Sequence, residues 1–283
     1  MKALIDGDIL RYEIGWGALT GWKAITETEE VPPFDYVEKL LLQRIASIQE
    51  ATNSDSYCLY LTEGHTFRYD IAKTKPYKGT RKENKPWHFD NLTAYIQGVL
   101  QHKTVSFIEA DDALAVDAGK APKENIICTR DKDLRQVPGL IYSWELGNQA
   151  AFGPLLVSDP GWLTLYGDAN RKPKITGTGF AFFCAQMLMG DTVDNISGVP
   201  KIGPVKAYEI LSPILEVETE EKTKQSLMDT VEDVYKDHYG MVYYGTEGRT
   251  WDDYLLEQGQ LLWVVRKLNE DGSPVIWQRG MSE

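Results

Sequence analysis

The residues best suited to chemistry are three short acidic clusters, Glu109-Ala110-Asp111-Asp112, Asp131-Lys132-Asp133 and Asp191-Thr192-Val193-Asp194. They put seven carboxylates where apolar stretches end or helix-like stretches begin. Two like unit charges about 4 Å apart repel by roughly 4 kcal/mol at an effective dielectric near 20. If the clusters converge, they need either solvent or hard cations that take oxygen ligands, Mg²⁺ or Mn²⁺. The expectation is a divalent-metal site for phosphate chemistry.

The elements that must position these acids follow from the apolar runs. Ala3-Leu4-Ile5, ended by Asp6-Gly7-Asp8, reads as a buried strand with carboxylates at its C-terminal end, where open parallel sheets place ligands. A helix capped by Asp35 is expected to about Ala51, with Val37, Leu40, Leu41, Ile45 and Ile48 on one face. A second strand, Tyr57 to Leu61, ends at Thr62-Glu63-Gly64, and strand–helix–strand at this spacing suggests a parallel α/β unit. Further strands are read at Val105–Ile108, Ile126–Thr129 and Leu140–Trp144. Helices are read at Phe89–Gln101 and Ala113–Ala118. The stretch from Gly147 to Lys174 has Gly, Pro and scattered aromatics and takes no assignment.

From Thr178 or Gly179 a helix runs through Phe180, Phe183, Met187 and Leu188 to Gly190. Asp191 and Asp194 follow at i,i+3 spacing, which on a helix would face them the same way. Gly198-Val199-Pro200-Lys201-Ile202-Gly203 then makes a tight loop before a helix from Pro204 to Leu211. Free amides at that helix start suit a phosphate. Two more helices are expected, at about Lys224–Asp237 and Leu255–Arg266.

Between Arg68 and Lys85 the chain changes character. Seven Lys or Arg stand there against Asp70 and Glu83, with Tyr69, Tyr77 and then Trp87 interleaved. A solvated loop is the bland reading; in an otherwise acidic protein the concentration favours phosphate neutralisation and base stacking. The net charge of −12 argues against nucleic acid only if it is spread evenly, and much of it sits in the clusters. The 283 residues suit one large domain or a catalytic body with a small appendage. Cys58, Cys128 and Cys184 form no zinc pattern or disulfide framework. With no signal peptide read at Lys2–Asp6 and no apolar run near a membrane span, a soluble, cytoplasmic protein is expected.

The order of these motifs resembles the 5′-nuclease superfamily: flap endonucleases, the 5′-nuclease domain of bacterial DNA polymerase I, and their phage relatives. Asp6 ends the first strand, an acid follows the second, and Phe67-Arg68 and Tyr77-Lys78-Gly79-Thr80-Arg81 match the basic segment. Glu109 to Asp112, Asp131 to Asp133, Gly190 to Ile196 and Gly198 to Gly203 match the remaining motifs over about 200 residues. The likeness is greatest to the short-tailed phage 5′→3′ exonucleases. Glu63 stands where relatives usually have Asp, and Ser197 and Lys201 replace a common Pro and Gly.

The resemblance implies a mostly parallel central sheet flanked by helices, with a helical helix-hairpin-helix-type DNA-binding appendage. It divides the chain into residues 1–178, with a basic arch at 68–88, and 179–283, with a helix–three-turn–helix at about 190–211. The implied reaction is phosphodiester hydrolysis at DNA 5′ ends (duplex, flap or gapped), extending to RNA in RNA–DNA hybrids. Two Mg²⁺ or Mn²⁺ would be held by Asp6, Glu63, Glu109, Asp111, Asp112, Asp131, Asp133, Asp191 and Asp194. Lys78 and Arg81 would contact the scissile phosphate. Arg68, Tyr77, Lys82, Lys201, Gly203 and Lys206 would bind nucleic acid, and the carbonyls of Val199 and Ile202 would hold K⁺. Rival readings are a haloacid-dehalogenase-like phosphatase with Asp6 as nucleophile, a non-catalytic nucleic-acid-binding protein, and an RNase of the related PIN-like fold.

Overall fold

The computed structural model describes residues 1–17, 30–81, 84–167, 172–216, 219–240 and 248–281. In chain order the elements are β1 (Lys2–Asp6), α1 (Gly7–Ile14), α2 (Phe34–Thr52), β2 (Ser56–Thr66) and α3 (Phe67–Ile71). Next come α4 (Phe89–Val99), β3 (His102–Phe107), α5 (Ala110–Lys120), β4 (Asn125–Cys128) and a 3-10 turn at Asp133–Gln136. β5 (Gly139–Ser143), β6 (Phe152–Val157), β7 (Leu163–Tyr166) and β8 (Lys174–Gly177) follow. The rest is helical: α6 (Gly179–Met189), α7 (Pro204–Leu211), α8 (Glu220–Tyr239) and α9 (Trp251–Leu262). The chain forms two compact units. One comprises Met1–His65, Lys82–Lys132 and Gly139–Leu156, the other Thr66–Arg81, Asp133–Pro138 and Val157–Glu283. The boundary expected at residue 178 therefore falls inside the second unit.

The first unit is built on a six-stranded sheet of order β3-β2-β1-β4-β5-β6. β1 pairs parallel with β2 and with β4, and β4 parallel with β5. Because β1 is central, its residues are covered on both faces, which is why it is apolar without alternation. Ala3 and Ile5 share a core with Leu10 and Ile14 of α1, Val37, Leu41, Ile45 and Ile48 of α2, and Leu92 and Ile96 of α4. α5 packs on β1, β3 and β4. The sheet and flanking helices match the fold class expected from the sequence.

Three sequence expectations are corrected here. β2 does not stop at Thr62 but runs on to Thr66. α2 starts from Pro33, with Asp35 in its first turn rather than capping it. The unassigned stretch holds β6 and the antiparallel β7–β8 pair.

The second unit is organised around α6. Its residues Gly179 to Leu188 are all buried, as a helix apolar on every side requires. α7, α8 and α9 pack around it. Phe183 meets Trp263 edge-on, with ring centroids 4.9 Å apart, and lies 5.7 Å from Trp277. Asp159 accepts from the Phe180 amide at 2.9 Å, satisfying one of the free donors at the start of α6.

Candidate active site

In the first unit, the acids stand at the C-terminal ends of adjacent parallel strands. Asp6 closes β1 and caps α1, its Oδ1 accepting from the Ile9 amide at 3.0 Å. Its Oδ2 accepts from the Thr129 hydroxyl at 2.8 Å, and that hydroxyl accepts from the Asp131 amide at 2.9 Å. Thr129 thus ties the end of β4 to the end of β1. Adjacent strands are only about 4.8 Å apart, so the strand ends that lead to the two acids lie close together, and the Asp131 charge is felt at Asp6. Gly7 permits the immediate turn into α1, since a Cβ there would stand 2.7 Å from the Tyr60 carbonyl oxygen.

Asp8 does not continue the strand; the turn puts it in the first turn of α1. It pairs with Arg11 and accepts from the Thr62 amide at 3.1 and 3.2 Å. The Thr62 hydroxyl accepts in turn from the Ala110 amide at 2.8 Å. Two threonines therefore connect the motifs: Thr129 joins Asp6 to Asp131, and Thr62 joins Asp8 to the start of the Glu109–Asp112 cluster. Neither threonine was singled out by sequence; their only signal is a position at a strand end.

The electrostatics of Asp6 suit a cation ligand. Asp6 is 2% exposed. Burial first, and then the Asp8 charge, with Asp131 adding less, raise its pKa to about 7, against the lowering effect of the Ile9 and Thr129 hydrogen bonds. A buried carboxylate crowded by two others is the donor chemistry that a hard cation neutralises. Among the described residues, however, no three His, Cys, Asp or Glu side chains are gathered closely enough to hold an ion. The donor types fit, and a preformed cage is not among the described groups.

The other predicted ligands divide. Glu109 is the N-cap of α5, and Asp112 closes a capping box by accepting from the Glu109 amide at 3.0 Å. Asp112 is fully buried, and the oxygen that accepts from Glu109 is engaged at the helix end. Glu109 and Asp111 are half-buried. Glu63 is exposed on the extension of β2, three residues past Tyr60, the partner of Asp6. At about 3.3 Å per residue that displaces it by roughly 10 Å from the Asp6 register.

The second unit carries the remaining candidates, and several are placed otherwise than expected. Asp133 opens the 3-10 turn and accepts from Gln186 at 2.5 Å. Asp191 and Asp194 are not on a helix. Gly190, at φ +71°, ends α6, and Asp191 and Ile196 exchange backbone hydrogen bonds of 2.9 and 2.7 Å. Asp191 is buried and accepts from the Val193 amide at 2.7 Å, which shapes the turn. Asp194 accepts from the Tyr77 hydroxyl at 3.0 Å and from Arg81 at 2.5 Å, and its carbonyl accepts from the Lys78 amide at 2.9 Å. It clamps the basic segment.

Arg68 and Tyr77 are likewise corrected. Arg68 is 3% exposed and donates to the carbonyls of Leu261 and Trp263, so it is an internal strut and not a phosphate contact. Tyr77 is 4% exposed, without a free face on which a base could stack. Lys78 is half-buried with its ammonium 4.9 Å from the Tyr77 ring, while Arg81 is exposed. Lys82 lies outside the described residues. The base of this segment is pinned by Glu257 of α9, a residue the sequence did not reveal. It is buried, accepts from the Lys73 and Thr74 amides at 2.7 Å each, and pairs with Arg249.

The loop before α7 has the expected form. Gly190 and Gly198, at φ +71° and +61°, lie back to back, and a Cβ on Gly198 would come within 2.2 Å of the Gly190 nitrogen. Gln258 accepts from the Gly198 amide at 2.9 Å, and the Val199 carbonyl accepts from Ile202 at 3.1 Å. Pro204 opens α7 after Gly203, and Lys201, Gly203 and Lys206 are exposed. Cys58, Cys128 and Cys184 are buried free thiols. Among the described residues no helix is long and apolar enough to cross a membrane.

No family model matches the sequence, and no curated protein matches it. Among solved structures, the chain is similar to a bacteriophage T5 flap endonuclease in a pseudo-enzyme-product complex with DNA and metal ions. The TM-score is 0.48 at 15% identity, over 92% of this chain and 98% of that one. It is also similar to T5 5′-exonuclease with bound zinc, at TM-score 0.46 and 15% identity over 83% and 89%. The catalytic core of Rad2 in complex with DNA substrate gives 0.43 at 12% identity over 81% and 73%.

Proposed function

We propose that this chain is a divalent-metal-dependent nuclease acting at DNA 5′ ends, as a 5′→3′ exonuclease and structure-specific flap endonuclease. The observation that carries the reading is the pair of threonine ties, which brings Asp6, Asp8, Asp131 and the start of the Glu109–Asp112 cluster to one edge of a parallel sheet. That edge is where such folds put ligands. Phosphoryl chemistry there would be hydrolytic: water oxygen bonds to phosphorus, the P–O3′ bond breaks, and a 5′-phosphate is left.

Asp6, Asp8, Glu109, Asp111 and Asp131 are the groups that would hold Mg²⁺ or Mn²⁺, which when bound supply positive charge to the attacking and leaving oxygens. Asp6 must be ionised for that role, and Thr129 ties its carboxylate to the Asp131 backbone. Lys78 and Arg81 act as the cationic clamp on the phosphate. Asp194 and Glu257 orient that basic segment, and Asp133 and Asp191 fix backbone turns. Lys201, Lys206 and the amides about Gly203 grip the duplex backbone, a contact that positions without reading sequence. K⁺ at the Val199 and Ile202 carbonyls, and RNA in hybrids as a further substrate, belong to the same reading.

The test is a set of 5′-labelled duplex, flap, gapped and RNA–DNA hybrid substrates, each with Mg²⁺ or with chelator. Metal-dependent release from the 5′ end is expected. Asp131→Ala should fold and bind DNA as the parent does while losing cleavage. A parent protein that cleaves none of the substrates, or an Asp131→Ala variant of equal activity, sinks the proposal.

A further inference from the structure

α9 carries two consecutive buried polar residues, Glu257 and Gln258, and each serves a different stretch of backbone in the second unit. Glu257 accepts from the Lys73 and Thr74 amides and from the Thr74 hydroxyl, all at 2.7 Å. Gln258 offers its Oε1 to the Gly198 amide at 2.9 Å, in the loop before α7. Successive helical side chains point about 100° apart, so one helix can address two segments at once. Buried polar side chains are uncommon, and a helix that only packs has no need of them. Both residues direct their oxygens at main-chain donors, and the two segments they serve are those read above as contacting DNA.

The two segments are tied together from both sides. Beside Gln258, the Tyr239 hydroxyl donates to the Gly198 carbonyl at 3.5 Å, and the Tyr239 ring stacks on Tyr254 of α9 with centroids 4.6 Å apart. Arg249 lies over the Tyr254 ring at 4.4 Å and donates to the Thr74 hydroxyl at 2.8 Å. These contacts close a ring that begins and ends at Gly198. Across from α9, the Asp194 carbonyl accepts from the Lys78 amide at 2.9 Å, and the Asn195 side-chain amide donates to the Pro76 carbonyl at 2.9 Å. α9 is itself held in place, because the Trp277 ring packs on Gly259, where a Cβ would stand 2.2 Å away. A buried polar network whose members are satisfied is rigid and specifies one arrangement.

We propose that Gln258 is a positioning residue that sets the cleavage register, the number of nucleotides between the gripped duplex and the phosphate that is cut. This rests on the nuclease reading, in which Lys78 and Arg81 clamp that phosphate while Lys201, Lys206 and the amides about Gly203 grip the duplex. Gln258 touches neither partner. It acts through the Gly198 amide, fixing the loop to the helix that also fixes the start of the basic segment. Neighbouring phosphates of one strand are about 3.4 Å apart along the duplex axis. A hydrogen bond weakens steeply once stretched beyond about 3.2 Å, so a slip of one nucleotide cannot be absorbed while these ties hold. Asn195 acts in the same sense from the other side, through the Pro76 carbonyl.

The test compares the parent with three variants, all checked by thermal unfolding. Gln258→Met keeps the side-chain length and removes the amide's acceptor, whereas Gln258→Glu retains one. Asn195→Gly suits the backbone at φ +62° and drops only the tie to Pro76. A duplex with a labelled 5′ tail is cut with Mg²⁺, and the initial product lengths are resolved to the nucleotide alongside kcat and KM. The parent should give one dominant initial product. In Gln258→Met the ratio of neighbouring products to that one should rise about ten-fold, the worth of one buried hydrogen bond, with a smaller rise in Asn195→Gly. Gln258→Glu should return the ratio towards the parent's. Without DNA or metal, amide hydrogen exchange in Gln258→Met should quicken over residues 73–81 as well as over 198–203, because the two segments share one frame.

A folded Gln258→Met variant that cuts more slowly with an unchanged product ratio has a structural role only, and overturns the proposal. So does faster exchange confined to residues 198–203, or a Gln258→Glu variant as broad in register as Gln258→Met. A parent that cleaves with no dominant initial product overturns it as well. Should Gln258→Met fail to fold, Asn195→Gly decides, and an unchanged ratio there overturns the frame. A parent that cleaves nothing removes the nuclease reading and the register with it, while the exchange result still decides whether α9 holds the two segments as one.

Discussion

Asp6→Asn should make the metal-free protein more stable at alkaline pH and leave it near parity in acid. Asp6 titrates at about 7 in the folded chain against 3.8 in a solvated aspartate, chiefly because it is buried and secondly because Asp8 is charged. A carboxyl whose folded pKa is raised lends stability that is complete below the unfolded value and is lost as pH rises through the folded one. The window here is therefore about pH 4 to 7, with a slope of about 1.4 kcal/mol per pH unit. The whole shift corresponds to a ceiling of about 4 kcal/mol, of which about 3 kcal/mol should disappear between about pH 5 and about pH 8.5.

Asparagine removes the charge but not the volume. Its oxygen can still cap Ile9, while the Thr129 hydroxyl, which must also accept from the Asp131 amide, loses its acceptor at a cost of about 1 kcal/mol. Subtracting that, the variant should match the parent near pH 4.5 and exceed it by about 3 kcal/mol near pH 8.5. Urea unfolding with chelator across this range reads the difference directly. Adding Mg²⁺ should then stabilise the parent, by about 2.7 kcal/mol at a hundredfold excess over Kd, and leave Asp6→Asn unmoved. A parent-to-variant difference that stays constant across the range would falsify the claim that Asp6 is the burdened carboxylate, whatever the protein cleaves.

Three further outcomes follow from the second unit. Glu257→Ala strands the Lys73 and Thr74 amides and leaves Arg249 without its buried partner, so urea unfolding should show a loss of about 3 kcal/mol. Trypsin should also cut faster at Lys73 and Lys75, and unchanged cleavage would contradict the anchoring role. Gly198→Ala forces a Cβ to within 2.2 Å of the Gly190 nitrogen at φ +61°, and thermal unfolding should report a loss above about 2 kcal/mol. Asp194→Asn weakens its pairing with Arg81 but can keep a hydrogen bond to Tyr77; KM for a 5′-labelled duplex should rise while the melting curve moves little. An equal fall in kcat with KM unchanged would instead make Asp194 a group of the chemical step.

What the sequence made legible is set by how local each cause is. β1, β4 and α6 could be read because a run of apolar residues needs no distant partner to declare itself, and Asp6 and Asp131 were singled out because each ends or closely follows such a run. The Gly198–Pro204 loop was readable for the same reason, its φ and helix start being written in Gly and Pro. Glu63 was misplaced because nothing local stops β2 at Thr62: its extension to Thr66 is polar and exposed and carries no apolar signal. Asp191 and Asp194 were read at helical spacing, but Gly190 ends α6 first, so spacing on a helix had no meaning there.

The basic segment shows the limit most clearly. A run of cations reads as a solvated phosphate-binding arm unless something far away consumes the charges. Arg68 is consumed by carbonyls at Leu261 and Trp263, and the segment's base by Glu257, all close to two hundred residues downstream. Burying a guanidinium costs several kcal/mol unless its donors are satisfied, so those carbonyls are the condition on which Arg68 can be interior at all. The same reasoning sorts the rest of the run. Arg81 is exposed, and its partner Asp194 in the same unit is half-buried. A fully exposed ion pair is worth about 1 kcal/mol or less, and this pair is open to water on the Arg81 side. Arg68 is therefore architecture, whereas Arg81 is exposed, and on the proposed nuclease reading it is the cation that would exchange Asp194 for a phosphate.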